Sequence, residues 1–288
     1  MNKLYGIFAP VNTPFTSHEE VDYEGLTRNL KYYMSTNLSG ILLLGSNSEY
    51  KSLNEEEKLK ILETATKIVS GNKTLMVGVM YDSLYHTRTF IEKSSRFPID
   101  YLMVQPPFYF RNKLTEDDYF RFYADLNEIS PFPILIYNAP GFTGIDFSEQ
   151  LINRIAGLKQ IHGIKDSSKT DKKLSTELAV LTGTVTTLYD MLEKDASGGV
   201  VSLANYIPWL PVKIFSEYRN GNKEQAKFLQ EVALKLNSQV SGKYGVAGVK
   251  AAMDAAGLTG GELRRPLRKL PLREREKISR LVKEYLHE

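Results

Sequence analysis

The sequence lacks cysteine altogether and holds only four histidines among 288 residues. Without cysteine the chain can form no disulfide, catalytic thiolate, thiolate-ligated zinc site or iron–sulfur site. The histidines show no spacing typical of metal ligands, so the sequence predicts no metal site. We interpret His162, which lies inside an apolar run, as a core residue. The remaining chemistry depends on hydroxyl, amine, amide and carboxylate groups.

Long apolar runs are also missing. None approaches the roughly 18 residues of a membrane span, and segment 1–15 lacks the apolar core of a signal peptide. The net charge of +3 is too small to indicate nucleic acid as the main partner. Basic residues near the C-terminus alternate with Glu and Leu, which predicts an amphipathic helix with a solvated face. We therefore expect a cytoplasmic protein that binds neither membranes nor nucleic acid.

Short apolar runs alternate with longer amphipathic segments. Each run is nearly continuous in apolar character and ends near Gly, Pro, Asn or Ser, as buried parallel strands do. The runs are 5–11, 40–45, 74–80, 101–107, 133–140, 160–165, 177–183 and 198–205.

Helical patterns fill the gaps between these runs. Asp22 and Asn54 stand where N-caps belong, and Gly71 is the predicted stop of the second helix. Repeated strand–helix units predict a (β/α)8 barrel over residues 1–220, followed by a small helical region over residues 221–288. An open doubly wound sheet is the alternative, but no glycine-rich phosphate loop follows the first run.

Active sites of such barrels lie at the C-terminal ends of the strands. Lys165 ends the sixth run, and Tyr137 lies near the end of the fifth. A lysine attacks carbonyl compounds as the neutral amine, and burial in an apolar barrel lowers the pKa of a lysine, so this pair suits Schiff-base catalysis. A nearby tyrosine can shuttle the protons. The residues alone leave an alternative open for each side chain. In these alternatives, Lys165 is a surface residue at a strand end, and Tyr137 only packs in the core.

Several stretches, in this order, resemble the dihydrodipicolinate synthase/N-acetylneuraminate lyase family of class I aldolases. The similarity runs nearly end to end and includes a C-terminal helical signature, "VKAAMDAAGLTGGELRRPLRKL". The other stretches are "GIFAPVNTPFT", "GSNSE", "QPPFYF", "YNAP", "GIKDSS" and "GGVVSLANYIP".

The resemblance implies a pyruvate-using lyase in which Lys165 forms the imine and Tyr137 relays protons. It implies that Ser46 and Asn47, with Gly45 before them, bind the carboxylate of a 2-oxo acid. The protonated imine serves as the electron sink, so neither a metal nor an organic cofactor is expected.

The resemblance also implies contacts further from the lysine. Tyr109 resembles a tyrosine that reaches a neighbouring subunit's site, which implies a homo-oligomer, either a dimer or a tetramer. Val201, at the eighth strand, and Phe142, after "YNAP", are the remaining expected substrate contacts.

Three departures from the family pattern concern Ser48, the segment after Lys165, and Phe142. Ser48 replaces a glycine, and segment 166–183 is short, which predicts a truncated sixth helix. Phe142 replaces the arginine with which the synthases bind aspartate semialdehyde. This favours an aldolase acting on 4-hydroxy-2-oxoglutarate or a 2-keto-3-deoxy sugar acid. The alternatives are a dihydrodipicolinate synthase with an altered second-substrate site, and a catalytically idle sensor of 2-oxo acids.

Overall fold

A computed structural model describes residues 4–69, 73–168, 172–175 and 177–286. Within these ranges eight strands close into one barrel, in chain order. The predicted strands are confirmed; seven are shorter than their apolar runs because the run ends form loops, and β6 is shifted by one residue from its run. They are β1 (Gly6–Pro10), β2 (Gly40–Leu43), β3 (Thr74–Val79), β4 (Tyr101–Val104), β5 (Ile134–Asn138), β6 (Ile161–Asp166), β7 (Ala179–Thr182) and β8 (Gly198–Val200).

Every strand pairing is parallel, and β1 closes the barrel by pairing with both β2 and β8. The strands are almost entirely buried, since side chains fill the barrel on one side and helices cover the other. This burial explains why the strands appear in the sequence as continuous apolar runs.

The helices surround the barrel and extend it at the C-terminus. No helix in the described ranges is long and apolar enough to cross a membrane. The helices are α1 (Tyr23–Ser35), α2 (Glu55–Thr66), α3 (Leu84–Ser94), α4 (Glu116–Ile129), α5 (Pro140–Thr143), α6 (Glu149–Ala156), α7 (Leu188–Leu192), α8 (Trp209–Arg219), α9 (Lys223–Gln239), α10 (Ser241–Ala255) and α11 (Leu272–Lys283).

The two predicted N-caps are confirmed. The Asp22 carboxylate accepts a hydrogen bond from the Gly25 amide at 2.8 Å. Asn54 and Glu57 form a reciprocal capping box at the start of α2, which satisfies two backbone donors that the helix leaves unpaired. Helix α2 ends at Thr66, and its predicted stop, Gly71, lies outside the described residues.

The connection from β6 to β7 departs from the regular barrel pattern. Its described residues, 167–168, 172–175 and 177–178, form no helix. The predicted shortening therefore leaves this unit without a helix in the part of the connection that the structure describes.

Two further predictions concern side-chain exposure. Helix α11 buries Ile278 and Val282 and exposes its basic side chains except Arg275, which is half-buried, and this confirms the amphipathic pattern. The prediction for His162 is wrong, because its side chain is exposed near the start of β6. The ring lies at the outer surface with its centroid 6.3 Å from that of Tyr101.

Candidate active site

A cavity of about 350 Å³ lies at the C-terminal ends of the strands. Its floor is formed by side chains from the strands, and its rim by the loops that follow them. Of the residues predicted to contact substrate, Ser46, Asn47, Tyr137, Phe142 and Lys165 all line this cavity.

Lys165 lies near the end of β6, directly opposite Tyr137 in the register of β5 and β6. Its side chain is buried, with only 5% of the residue exposed. The Nζ atom lies 4.0 Å from the centroid of the Tyr137 ring and donates a hydrogen bond to Ser167 Oγ at 3.4 Å. The amine is thus held against an aromatic face and opens onto the cavity.

Tyr137 is also buried, and its hydroxyl oxygen lies 3.0 Å from Ser46 Oγ. Ser46 begins a 3₁₀ turn, Ser46–Ser48, that follows β2. In the same turn, Asn47 Nδ2 donates to Ser202 Oγ at 2.8 Å, which joins the turn to the end of β8. Polar groups from three sides of the barrel therefore converge near Lys165.

The 3₁₀ turn is anchored from below by Ser48 and Glu49. Ser48 Oγ donates to the Val11 carbonyl oxygen at 2.5 Å, so Ser48 fixes the turn to the loop after β1. Glu49 adopts a left-handed backbone conformation with φ of 55°. Its Oε1 atom lies 2.5 Å from Lys250 Nζ on α10, with 1% of the Glu49 side chain and 2% of the Lys250 side chain exposed.

This buried ion pair connects the barrel to the C-terminal helices. Lys250 Nζ also donates to the Glu262 carbonyl oxygen at 2.6 Å, and the Arg264 amide donates to Glu49 Oε2 at 3.1 Å. Burial lowers the pKa of Lys250, and the Glu49 carboxylate opposes that shift. The turn that carries Ser46 and Asn47 is therefore fixed to the C-terminal region.

The C-terminal helices also form one wall of the cavity, which the sequence did not predict. Asn237 on α9 and Ser241, Gly242, Gly245 and Val246 on α10 all line it. Gly245 interrupts α10 with φ of 57°, a conformation that favours glycine. The glycine-rich pattern of this segment was the available signal, although it indicates only unusual backbone geometry.

A second cavity of about 620 Å³ adjoins the first. The two share four lining residues, Ser46, Phe142, Gly245 and Val246. The second cavity has a largely apolar lining that includes Met80, and Arg268 also lines it. Phe142, 68% exposed on α5, stands between the two spaces.

Three other predicted site residues lie outside the lining of both cavities. Gly45 is buried beneath the 3₁₀ turn, and its carbonyl oxygen accepts from the Ser48 amide. Val201 is buried, while its neighbours Val200 and Ser202 line the first cavity, as alternation along an extended segment requires. Tyr109 is 72% exposed in the loop after β4.

The donor set near Lys165 consists of hydroxyls, amides and the amine. Among the residues that the structure describes, no group of three or more His, Asp or Glu side chains is arranged to hold a metal ion. The geometry suits a carbonyl substrate with a carboxylate. An amine faces the cavity, and hydroxyl and amide groups lie beside it.

Comparison with known proteins supports the same kind of chemistry. A family model described as "Dihydrodipicolinate synthetase family" matches residues 3–285. A 4-hydroxy-tetrahydrodipicolinate synthase from Kosmotoga olearia is 26% identical, and the alignment covers 97% of each chain.

Solved structures of similar fold include a dihydrodipicolinate synthase from Thermotoga maritima. It has a TM-score of 0.91 and 26% identity, with 98% of this chain and 99% of that chain covered. A 2-keto-3-deoxygluconate aldolase variant from Sulfolobus solfataricus has a TM-score of 0.87 over 97% of this chain and 96% of that chain. At 22% identity, the second structure supports the fold alone.

Proposed function

The chain belongs to the dihydrodipicolinate synthetase family of pyruvate-dependent lyases and aldolases, and we propose that its chemistry proceeds through an imine between Lys165 and pyruvate. It is a class I carbon–carbon lyase. The observation that carries the residue assignment is the buried Lys165 amine, which faces the cavity 4.0 Å from the Tyr137 ring centroid.

The proposed reaction uses groups that line the first cavity. The Lys165 amine adds to C2 of pyruvate, and loss of water gives the protonated imine. Removal of a C3 proton then gives an enamine, whose C3 attacks the aldehyde carbon and forms the new bond. Hydrolysis of the product imine frees Lys165, and the reverse sequence cleaves the same bond.

Tyr137 and the 3₁₀ turn have separate proposed roles. Tyr137 relays protons during imine formation and dehydration, with Ser46 Oγ as its hydrogen-bond partner. Ser46 and Asn47 hold the carboxylate of pyruvate, because their hydroxyl and amide groups are the polar donors on that side of the cavity.

Reduction with borohydride in the presence of pyruvate tests this assignment. The expected result is an N-(1-carboxyethyl) adduct on the peptide that contains Lys165, measured by mass spectrometry. An unmodified chain, or an adduct confined to other lysines, would contradict the proposal and favour the idle-sensor alternative.

The Tyr137→Phe variant is expected to lower turnover by a factor on the order of 10²–10⁴, because it removes only the hydroxyl that moves protons. The measurement is the rate at which pyruvate C3 protons exchange with deuterium, followed by NMR. Tyr123→Phe is the matched control, since Tyr123 is also buried but bonds the Val104 carbonyl oxygen away from the cavity. A Tyr137→Phe rate within a few-fold of wild type would show that the ring only packs.

The second substrate is proposed to be an aldehyde other than aspartate semialdehyde. Phe142 offers no charge-assisted partner for a second carboxylate, a loss of about 1–3 kcal/mol in binding. Glyoxylate and hydroxylated sugar-acid fragments are the proposed alternatives. These correspond to cleavage of 4-hydroxy-2-oxoglutarate or a 2-keto-3-deoxy sugar acid.

We expect kcat/KM for condensation with pyruvate to be higher for glyoxylate or glyceraldehyde than for aspartate semialdehyde. Phe142→Arg should raise the value for aspartate semialdehyde alone, because it supplies the missing guanidinium. Phe142→Met is the control that removes the ring without adding charge. A tenfold or greater preference of the wild type for aspartate semialdehyde would establish the synthase alternative.

We also propose that the protein is cytoplasmic, which the absence of cysteine supports. We further propose a homo-oligomer in which Tyr109 reaches a partner's site. Support for the oligomer comes from Tyr109 and Phe110, which are 72% and 67% exposed on one loop. The Phe108 and Tyr109 amides both donate to Asp82 Oδ1, at 2.8 and 3.1 Å, so this exposed loop has a fixed backbone. A monomer in light scattering at micromolar concentration would remove this role.

A further inference from the structure

The β6–β7 connection, which has no helix in its described residues, brings Lys172 over the ends of β5 and β6. Only 7% of the Lys172 side chain is exposed. Its Nζ atom lies 2.6 Å from Asp146 Oδ1 and 3.9 Å from Asp166 Oδ2, and it donates to Ser168 Oγ at 2.9 Å. A buried lysine requires such partners, since an unpaired ammonium group is costly away from water.

Asn138 joins the two carboxylates that Lys172 contacts. Its Nδ2 donates to Asp146 Oδ1 and to Asp166 Oδ1, both at 2.9 Å. Its Oδ1 accepts from the Phe147 amide at 3.2 Å, so all parts of this buried amide are used. We call Asn138, Asp146, Asp166, Ser168 and Lys172 the Asn138 network.

The Asn138 network lies directly next to the reactive residues along both strands. Asn138 follows Tyr137 and Asp166 follows Lys165, and the two pairs are opposite each other in the sheet. The network therefore holds the ends of both strands that present the proposed imine-forming amine and its proton relay.

A short turn, residues 166–168, connects the Asn138 network to the Lys165 amine. Asp166 accepts from the Ser168 amide at 2.8 Å and from Ser168 Oγ at 3.0 Å, which fixes the turn 166–168. Between these anchors, the Ser167 amide donates to the Asn138 carbonyl oxygen at 2.9 Å, and Ser167 Oγ accepts from Lys165 Nζ at 3.4 Å. Movement of the turn would move the acceptor that orients Lys165.

We propose that Lys172 is a positioning residue for the imine chemistry. Its ammonium group neutralises Asp146 and Asp166 and thereby keeps the turn 166–168 in the geometry that aims Lys165 at the carbonyl carbon. Removing it leaves the buried Asp166 carboxylate and the more exposed Asp146 carboxylate on one amide without their shared cation, and the turn relieves the charge imbalance at Asp166 by moving. The inference rests on the proposed function of Lys165.

The test uses pyruvate alone as the probe, through the exchange of its C3 protons with deuterium. Lys172→Met should lower the maximal exchange rate by a factor on the order of 10–100, because small misplacements of reacting groups cost that much. The KM for pyruvate should stay within about threefold, since Ser46 and Asn47 hold the carboxylate on another side of the cavity. Lys172→Arg, which keeps the cation, should restore most of the rate.

Lys173→Met is the matched control, because Lys173 is the adjacent, exposed lysine, and it should exchange at the wild-type rate. A wild-type rate in Lys172→Met, or an equal loss in Lys172→Arg, overturns the proposal. Where Lys172→Met does not fold, Asp146→Asn takes its place, because it keeps the side-chain shape but removes the charge that Lys172 pairs. A wild-type rate there also overturns the positioning role.

The labelling experiment separates this inference from the proposed function. If borohydride and pyruvate fail to label Lys165 in the wild type, the proposed function fails. If labelling succeeds and the Lys172 variants exchange normally, only the positioning role fails.

Discussion

Replacing Lys165 with methionine is expected to abolish turnover in practice, with a loss of roughly 10⁴–10⁶-fold. In the proposed mechanism the protonated imine accepts the electron pair of the bond that breaks, and no other amine lines the first cavity among the described residues. Methionine is similar in length and uncharged, so the buried site keeps its packing. The measurement is pyruvate proton exchange, together with the borohydride adduct, which should disappear.

The control for this variant is a lysine close to Lys165 in sequence. Lys159→Met removes an exposed lysine just before β6, at the opposite end of the barrel, and should retain activity and labelling. Thermal unfolding of Lys165→Met should match the wild type, which separates lost chemistry from lost structure. Appreciable exchange by a folded Lys165→Met variant would show that the imine forms elsewhere.

The largest expected effect on stability comes from Lys250→Met. This change leaves the Glu49 carboxylate buried without its cation, which typically costs about 3–5 kcal/mol of the free energy of unfolding. The pair lies 2.5 Å apart, and neither side chain is more than 2% exposed, so solvent cannot replace the lost partner. Urea unfolding followed by circular dichroism measures the loss.

The double variant Glu49→Gln/Lys250→Met is the matched test. Removing both charges eliminates the uncompensated carboxylate, so the double variant should be more stable than Lys250→Met alone. Additive losses would show that the two side chains contribute independently, through packing rather than through their pairing.

The strands could be predicted because each one is buried on both faces. Such strands leave continuous apolar runs that end in turn-forming residues, and position in a barrel then fixes which ends face the site. Lys165 and Tyr137 follow from this reasoning, since both lie at strand ends that the barrel must bring together. Asp22 and Asn54 were predictable because capping depends on neighbouring residues only.

The features that escaped prediction depend on distant residues. Arg264 and Glu49 are 215 positions apart, so no local pattern links them. The cavity wall from α9 and α10 escaped prediction for the same reason. The sequence of a helix does not show which end of the barrel that helix will cover. The prediction for His162 is wrong because an apolar run indicates the burial of its apolar residues only. The His162 side chain points outward near the start of the strand, where it is open to solvent.

The Asn138 network contains residues that could be predicted from their neighbours and one partner that could not. Asn138 and Asp166 are next to the predicted site residues, but their shared partner Lys172 lies in a connection whose path the sequence left open. Only the folded chain shows that a shortened connection places a cation at the barrel mouth.

The cavity wall from the C-terminal helices has a consequence for synthesis on the ribosome. Tyr137 and Lys165 emerge before Ser241 and Val246, which line the same cavity, and Glu49 emerges before its partner Lys250. Because chains emerge from the N-terminus onwards, a barrel that folds before α9 and α10 have emerged has Lys165 in a cavity without this wall, and Glu49 without its cation. The cavity gains this wall only after residues 237–246 have been made.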